Sequence, residues 1–191
     1  MFRRLALLLL LALAACATIE NASDGTTLRV EGDGLYLAGT ITSRTPANFE
    51  RLLAQNPQVR TLVPTQVSGS VDGAATVRMG YLLRARGIDT HLTPDSVVDS
   101  GGVDLFLAGN RRTMARGASL GVHSWRNGYR EGSSYPRSAP EHDMTRSYVT
   151  DMLGSDAFYW FTLAAAPSDG IHEMTPGEIA RYGLLTEPVG N

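Results

Sequence analysis

The chain has 191 residues, with 17 basic residues against 19 acidic ones and a formal net charge of −2. A chain of this size can bury a substantial core, and a charge so close to zero gives no electrostatic support for nucleic-acid binding. All 17 basic residues are arginine, and Cys16 is the single cysteine. A catalytic lysine and an intrachain disulfide are therefore excluded, and a general base has to be His, Asp or Glu.

The first 15 residues are typical of a secretory signal peptide. Two arginines precede the apolar run Leu5–Ala14, which is too short to span a bilayer. Residues 13–16, Leu-Ala-Ala-Cys, resemble the bacterial lipoprotein signal, which implies cleavage before Cys16 and lipidation of its thiol. The alternative is an ordinary signal peptide cleaved near Ala15.

Cleavage before Cys16 would leave 176 residues with 15 arginines against 19 acidic residues, a formal net charge of −4. Residues 16–27 are expected to form a lipid-anchored tether, and residues 28–191 a single domain. Ala17 follows the cysteine where some lipoproteins carry aspartate, and in a Gram-negative cell this favours the outer membrane. The expected location is therefore the periplasmic side of the bacterial cell envelope.

The first half of the domain alternates apolar strands with helices. The predicted elements are strands at Leu28–Val30, Leu35–Ile41, Val59–Val63 and Ile88–Leu92, a helix capped by Thr45, a small-residue turn at Gln66–Asp72, and a helix at Asp72–Arg86. This alternation predicts an α/β fold with a mostly parallel sheet. The segment Ser68–Ser70 and Ser100 both follow strands, so we expect them at the same edge of the sheet.

The stretch Asp99–His123 carries the most informative pattern. Ser100 precedes two glycines and an apolar run, and His123 comes at the end of the next strand-like segment. This pattern indicates a nucleophile at the start of a short buried helix, with its base on the next strand. The alternative is a buried turn with a capping serine and a hydrogen-bonded core histidine. Asp99 is interpreted as a second base or an exposed turn residue.

The C-terminal third is expected to be an exposed, mobile loop and two helices. The loop is Arg126–Ala139, and a long helical stretch runs from about Pro140 to Ala165. Thr175 and Glu178 form a predicted capping box for a helix over Pro176–Tyr182. The remaining histidines have no metal-ligand spacing, and no Gly-x-Gly-x-x-Gly or Walker A motif is present, so no metal and no cofactor are expected.

Five segments together resemble the proteolytic subunit of the Clp protease and its ClpP/crotonase fold. They are SGSVDGAA, SGGVDLFLAG, GVHSW, GYREG and TPGEIARYGLL, in the order and spacing of that family. The secreted Clp-protease-like proteins of bacteria are the more similar branch, and the likeness covers roughly Leu35–Pro188. It implies strand–helix repeats around a mostly parallel sheet, with flanking helices.

Matched position by position, the resemblance implies that Ser100 is the nucleophile and His123 the general base. Gly69 and Gly101 would supply the backbone N–H groups of an oxyanion hole. The glycine-rich turn departs from the family, because its proline and first glycine are absent.

The third member of the triad also departs from the family. The family's aspartate position holds Ile171. Asp169 lies two residues earlier and is expected to reach His123, and Glu173 is a weaker substitute.

The expected function is a lipid-anchored envelope serine hydrolase, a Clp-protease-like peptidase that forms an acyl-enzyme. Its partners would be a peptide or protein substrate and the membrane, with no nucleic acid, and the resemblance implies a homo-oligomer, a trimer or hexamer. A non-catalytic binding or scaffold lipoprotein of the same fold is the alternative. A crotonase-type acyl-thioester enzyme is a third candidate, although the envelope offers no obvious supply of coenzyme A.

Overall fold

The computed structural model describes the backbone of Thr18–Glu20 and residues 25–190. In this part of the chain the strands are β1 (Thr18–Glu20), β2 (Thr26–Glu31), β3 (Gly34–Ile41), β4 (Thr61–Ser70), β5 (Asp89–Leu92), β6 (Val97–Asp99), β7 (Arg112–Met114), β8 (Ser119–Val122), β9 (Arg126–Asn127), β10 (Arg130–Glu131) and β11 (His172–Glu173). The helices are α1 (Thr45–Gln55), α2 (Gly73–Ala85), α3 (Gly101–Leu107), α4 (Asp143–Leu153), α5 (Ala157–Ala165) and α6 (Pro176–Arg181). Short 3-10 turns lie at Gly132–Ser134 and Pro140–His142.

A mostly parallel sheet organises these elements in the order β1-β2-β3-β4-β6-β8-β11. Strands β3, β4, β6 and β8 are parallel, whereas β1, β2 and β11 pair antiparallel at the two edges. Strand β4 forks, because its first residues pair with β5, and β5 with β7, while Gln66 and Val67 pair with β6. The predicted α/β class with a mostly parallel sheet is confirmed.

The hydrophobic core lies between the sheet and the helices that pack on it. Helix α3 is apolar almost all round, and Val103, Leu105, Phe106 and Leu107 are buried in it, as expected for a helix enclosed by other elements. It packs against α2 and β4. The core therefore fixes the start of α3, where Ser100 lies, against the end of β4.

Residues 66–70 are strand rather than the turn that the sequence predicts. Strand β4 continues to Ser70 because Gln66 and Val67 pair with β6, and Gly69 and Ser70 pair with β3. The turn is reduced to Val71 and Asp72. Asp72 then caps α2, its side chain accepting a hydrogen bond from the Ala75 N–H, which agrees with the predicted start of this helix.

Two predicted helix boundaries are wrong. The stretch from Pro140 to Ala165 is not one helix, because Gly154 adopts a left-handed conformation (φ 78°) that ends α4 before α5 begins. Thr45 is the first residue of α1 and not its cap, since Arg44 holds the cap position and the Thr45 hydroxyl accepts from the Thr42 N–H. The capping box of Thr175 and Glu178 is present as predicted.

The expected loop and tether both contain regular structure. Residues 126–131 form a short hairpin of β9 and β10, inside the predicted loop. Strand β1 lies within residues 16–27, the expected tether, and pairs with residues 27–29 of β2. Regular structure therefore begins before Leu28. The expected signal peptide and Cys16 lie outside the described residues, so both stay predictions. No helix in the described part is long and apolar enough to cross a membrane.

Candidate active site

Ser100 joins β6 to α3 in a conformation that side chains rarely adopt. Its φ of 53° and ψ of −123° match the first central position of a type II′ turn, which normally requires glycine. Among the described residues it is the one non-glycine residue with a positive φ. Such strained residues concentrate at functional sites, and a serine on a sharp strand-to-helix turn is the geometry of a nucleophile elbow.

The capping alternative for Ser100 does not hold, because its side chain makes no cap hydrogen bond to α3. The backbone of Ser100 is held instead by β8, its N–H donating to the Gly121 carbonyl at 2.8 Å. The hydroxyl makes no hydrogen bond with another described residue, although Ser100 lines a cavity. A free hydroxyl at a fixed backbone position is suited to attack a bound carbonyl.

Gly69 and Gly101 lie directly beside the Ser100 turn. A Cβ on Gly69 would come within 3.0 Å of the Ser100 Cβ and 3.3 Å of its Oγ. A Cβ on Gly101 would come within 2.6 Å of the Ser70 Cβ, at the end of β4. The absence of side chains thus lets the end of β4 and the start of α3 approach each other around the hydroxyl, and the Gly101 N–H has no acceptor within its own helix.

His123 directly follows β8 and lines the same cavity as Ser100. Its Nδ1 lies 2.7 Å from the Ser124 carbonyl oxygen. A carbonyl only accepts, so Nδ1 carries the proton of the neutral ring and Nε2 keeps its lone pair. The backbone carbonyl therefore fixes the tautomer that a general base needs.

The structure does not bring Asp169 to His123. Asp169 is exposed and makes no hydrogen bond or ion pair with any described residue, and the Ser124 carbonyl occupies the nitrogen that Asp169 was expected to meet. The antiparallel register of β8 and β11 pairs His172 with Val122, and its continuation by one residue places Ile171 opposite His123. Ile171, which stands where the resemblance implies an aspartate, is 52% exposed.

The fold places two carboxylates, Asp99 and Glu173, on the His123 side of the site, and Asp99 is the half-buried one. It pairs with Gly121 in the β6–β8 ladder, and its carboxylate lies where a Gly121 side chain would stand. Residues two apart on a strand face the same side, so this carboxylate lies on the face from which His123 projects. Burial raises the pKa of Asp99, the charge of His123 lowers it, and Glu173, paired with Gly121 from β11, raises it.

A cavity of about 390 Å³ opens beside Ser100 and His123. Valines contribute much of its wall, at positions 71, 77, 103, 122 and 149, and Trp125 and Tyr159 line it as well. Tyr159 is held in place because its hydroxyl accepts from Trp125 Nε1 at 2.9 Å and bonds to His142 Nδ1 at 2.6 Å.

Asp104 also lines this cavity, and sequence reasoning did not single out a role for it. The sequence signal that could have placed Asp104 in the site is its position four residues after Ser100, on the same face of the helix. Within the described residues, no group of three or more His, Cys, Asp or Glu side chains could hold a metal ion.

The chain thus has a mixed α/β, ClpP/crotonase-like fold, with a serine at the junction of β6 and α3. No family model and no curated protein matches the chain. The chain is similar to two solved structures of the 1510-N membrane-bound stomatin-specific protease. One carries a serine-to-alanine substitution and aligns with a TM-score of 0.56 and 18% identity over 79% of this chain and 75% of that one. The other carries a lysine-to-alanine substitution and a substrate peptide, with a TM-score of 0.53 and 17% identity over 82% and 75%.

Proposed function

We propose that the chain is a serine hydrolase that cleaves peptides through an acyl-enzyme, with Ser100 as nucleophile and His123 as general base. The observation that carries this proposal is the backbone conformation of Ser100, which has a positive φ and lies directly beside Gly69. Ser100 and His123 line the same cavity. The relatives in the comparison are described as proteases, and one holds a substrate peptide. This supports a peptide as the substrate class.

In the proposed reaction, Ser100 Oγ attacks the substrate carbonyl carbon while His123 Nε2 takes the hydroxyl proton. The negative charge that develops on the carbonyl oxygen would accept hydrogen bonds from the Gly69 and Gly101 N–H groups, each such donor being worth about 3 kcal/mol. Collapse of the intermediate breaks the bond to the leaving amine, which receives the proton from His123. Water then hydrolyses the ester on Ser100 by the same steps.

The general base in this scheme cannot be a lysine. One of the similar structures carries a substitution at a lysine, and this chain contains none. His123 meets the requirement because the Ser124 carbonyl leaves its Nε2 unprotonated. The orienting role expected of Asp169 is taken over, in this scheme, by a backbone carbonyl and by the field of Asp99.

Location and assembly belong to the same proposal. Lipidation at Cys16 would hold the enzyme on the periplasmic face of the envelope, with the outer membrane favoured by Ala17. Association into a trimer or hexamer is expected from the fold, and sedimentation of the protein at micromolar concentration tests it. A monomer would contradict that part of the proposal.

A non-catalytic binding protein is the second candidate. Within the described residues no carboxylate contacts a ring nitrogen of His123, and this observation favours it. Cleavage of a peptide library, measured by mass spectrometry, separates the two candidates. The hydrolase produces new termini that disappear in Ser100→Ala, whereas the binding protein produces none with either chain.

A further inference from the structure

The cavity continues from Ser100 to Asp104, one helical turn further along α3. A rise of 1.5 Å per residue sets these two positions about 6 Å apart on the same face of the helix. A substrate whose carbonyl lies at the Ser100 hydroxyl therefore has a neighbouring side chain within reach of Asp104.

The wall of this cavity combines valines with polar side chains. Val71, Val77, Val103 and Val149 line the cavity along with short hydroxyl side chains. Its volume of about 390 Å³ lies at the lower end of the usual range for ligand pockets, so it suits one long side chain. Valines together with a carboxylate match a side chain that has an aliphatic stem and a charged head.

The Asp104 carboxylate has no partner within the described residues. It makes no hydrogen bond or ion pair there, and the nearby Tyr148 hydroxyl donates instead to the backbone carbonyl of Asp104 at 2.7 Å. Burial raises the pKa of Asp104 to about 7. An ionised carboxylate without a partner is unfavourable in such surroundings, and a cation that enters the cavity relieves this cost.

The chain's own cations at the cavity do not fill this role. His123 lies at the nucleophile, and its Nδ1–H is used by the Ser124 carbonyl. Arg126 lines the cavity but is exposed on the β9–β10 hairpin and forms no ion pair with Asp104. The position opposite Asp104 is therefore left to a ligand.

We propose that Asp104 determines the specificity of the site, and that the cavity accepts the side chain of a basic residue, arginine or lysine, on the acyl side of the cleaved bond. This inference rests on the proposed function of Ser100. A guanidinium or ammonium group would form a charge-assisted hydrogen bond to the carboxylate while its aliphatic stem packs against the valines.

Calorimetric titration of the purified protein with benzamidine and with benzamide tests the cation site without requiring catalysis. The two ligands share a ring and differ in charge. We expect benzamidine to bind at least about tenfold more tightly than benzamide, a preference worth about 1.4 kcal/mol. Asp104→Asn and Asp104→Ser should both abolish the preference, with folding verified by thermal unfolding, and Asp95→Asn, at an exposed acidic residue, should preserve it.

Equal binding of the two ligands, binding of neither, or a preference that survives in Asp104→Asn would overturn the inference. Labelling of Ser100 by a fluorophosphonate separates its failure from that of the proposed function. Labelling without any cation preference overturns the specificity alone. Cation binding that depends on Asp104 in a protein that is never labelled overturns the hydrolase and leaves a site for a basic side chain.

Discussion

Asp99 and Gly121 are paired residues of β6 and β8, and the Asp99 carboxylate occupies the space that a side chain at residue 121 would need. This relationship brings a carboxylate to the side of His123, while Ile171 stands where the resemblance to the Clp protease implies an aspartate. The His123 ring is oriented by the Ser124 carbonyl. In the proposed hydrolase, the two tasks of an orienting aspartate, fixing the tautomer and stabilising the imidazolium, would be divided between a backbone group and Asp99.

Replacing Asp99 tests this division. We expect Asp99→Asn to lower the rate of covalent labelling at Ser100 on the order of tenfold, because the carboxylate no longer attracts the proton that His123 acquires in the transition state. The matched control is Asp169→Asn, an exposed residue that should leave the rate unchanged. A larger loss in Asp169→Asn than in Asp99→Asn would show that the orienting carboxylate is the one first expected from the sequence.

The positive φ of Ser100 leads to a prediction about stability that does not depend on activity. Glycine adopts a positive φ without steric cost, so Ser100→Gly should be more stable than Ser100→Ala by about 1 kcal/mol. Urea unfolding of the two variants measures the difference. The same pair at Ser43, an exposed residue without a positive φ, should show no advantage for glycine. An alanine variant at residue 100 as stable as the glycine variant would contradict the strained turn.

Asp104 should make stability depend on pH. Its pKa is about 7 in the folded protein against an ordinary value of 3.8, so between these values the folded state binds more protons than the unfolded state. Stability contributed by this group therefore falls as the pH rises from about 4 to about 7, and is lowest above that range. One pKa unit corresponds to about 1.4 kcal/mol. The free energy of unfolding of Asp104→Asn, relative to that of the wild type, should therefore rise on the order of 2–4 kcal/mol from pH 4 to pH 8.

Denaturant unfolding of both proteins at the two pH values measures this gain. The difference between variant and wild type removes the contribution of other titrating groups that the substitution leaves unchanged. A stability difference that does not change with pH would mean that the carboxylate is solvated or paired.

Membrane attachment should depend on the thiol sulfur of Cys16. We expect Cys16→Ser to move the protein from the membrane fraction to the soluble fraction of cells, because acyl chains on the thiol would supply the attachment. Ser43→Ala is a control that leaves the expected lipidation signal at residues 13–16 intact. Persistence of the Cys16→Ser protein in the membrane fraction would contradict a lipid anchor.

Features that are set within a few residues could be predicted from the sequence. The capping box at Thr175, the start of α2 at Asp72 and the short buried helix after Ser100 all rest on local chemistry, and all are present. The pattern of Asp99–His123 also predicted a nucleophile at the start of a short buried helix with its base on the next strand, and Ser100 and His123 line one cavity.

Features that depend on distant partners could not be predicted. Residues 66–70 are strand because Gln66 and Val67 pair with β6, while Gly69 and Ser70 pair with β3, and no local signal separates this segment from a turn. The position of Asp99 beside His123 follows from the register of β6 with β8. The unpaired state of Asp104 depends on α4, whose Tyr148 bonds to its backbone and not to its carboxylate. Each of these requires tertiary structure.

Covalent labelling by a fluorophosphonate probe, followed by mass spectrometry of the labelled peptide, tests the central claim most directly. We predict that the probe modifies the Ser100 hydroxyl of the folded protein, that Ser100→Ala abolishes labelling, and that His123→Ala slows it by about two to four orders of magnitude. Ser43→Ala and His91→Ala, at residues outside the cavity, should be labelled like the wild type. A folded protein that is not labelled, or one labelled at a residue other than Ser100, would contradict the assignment of Ser100 as the nucleophile.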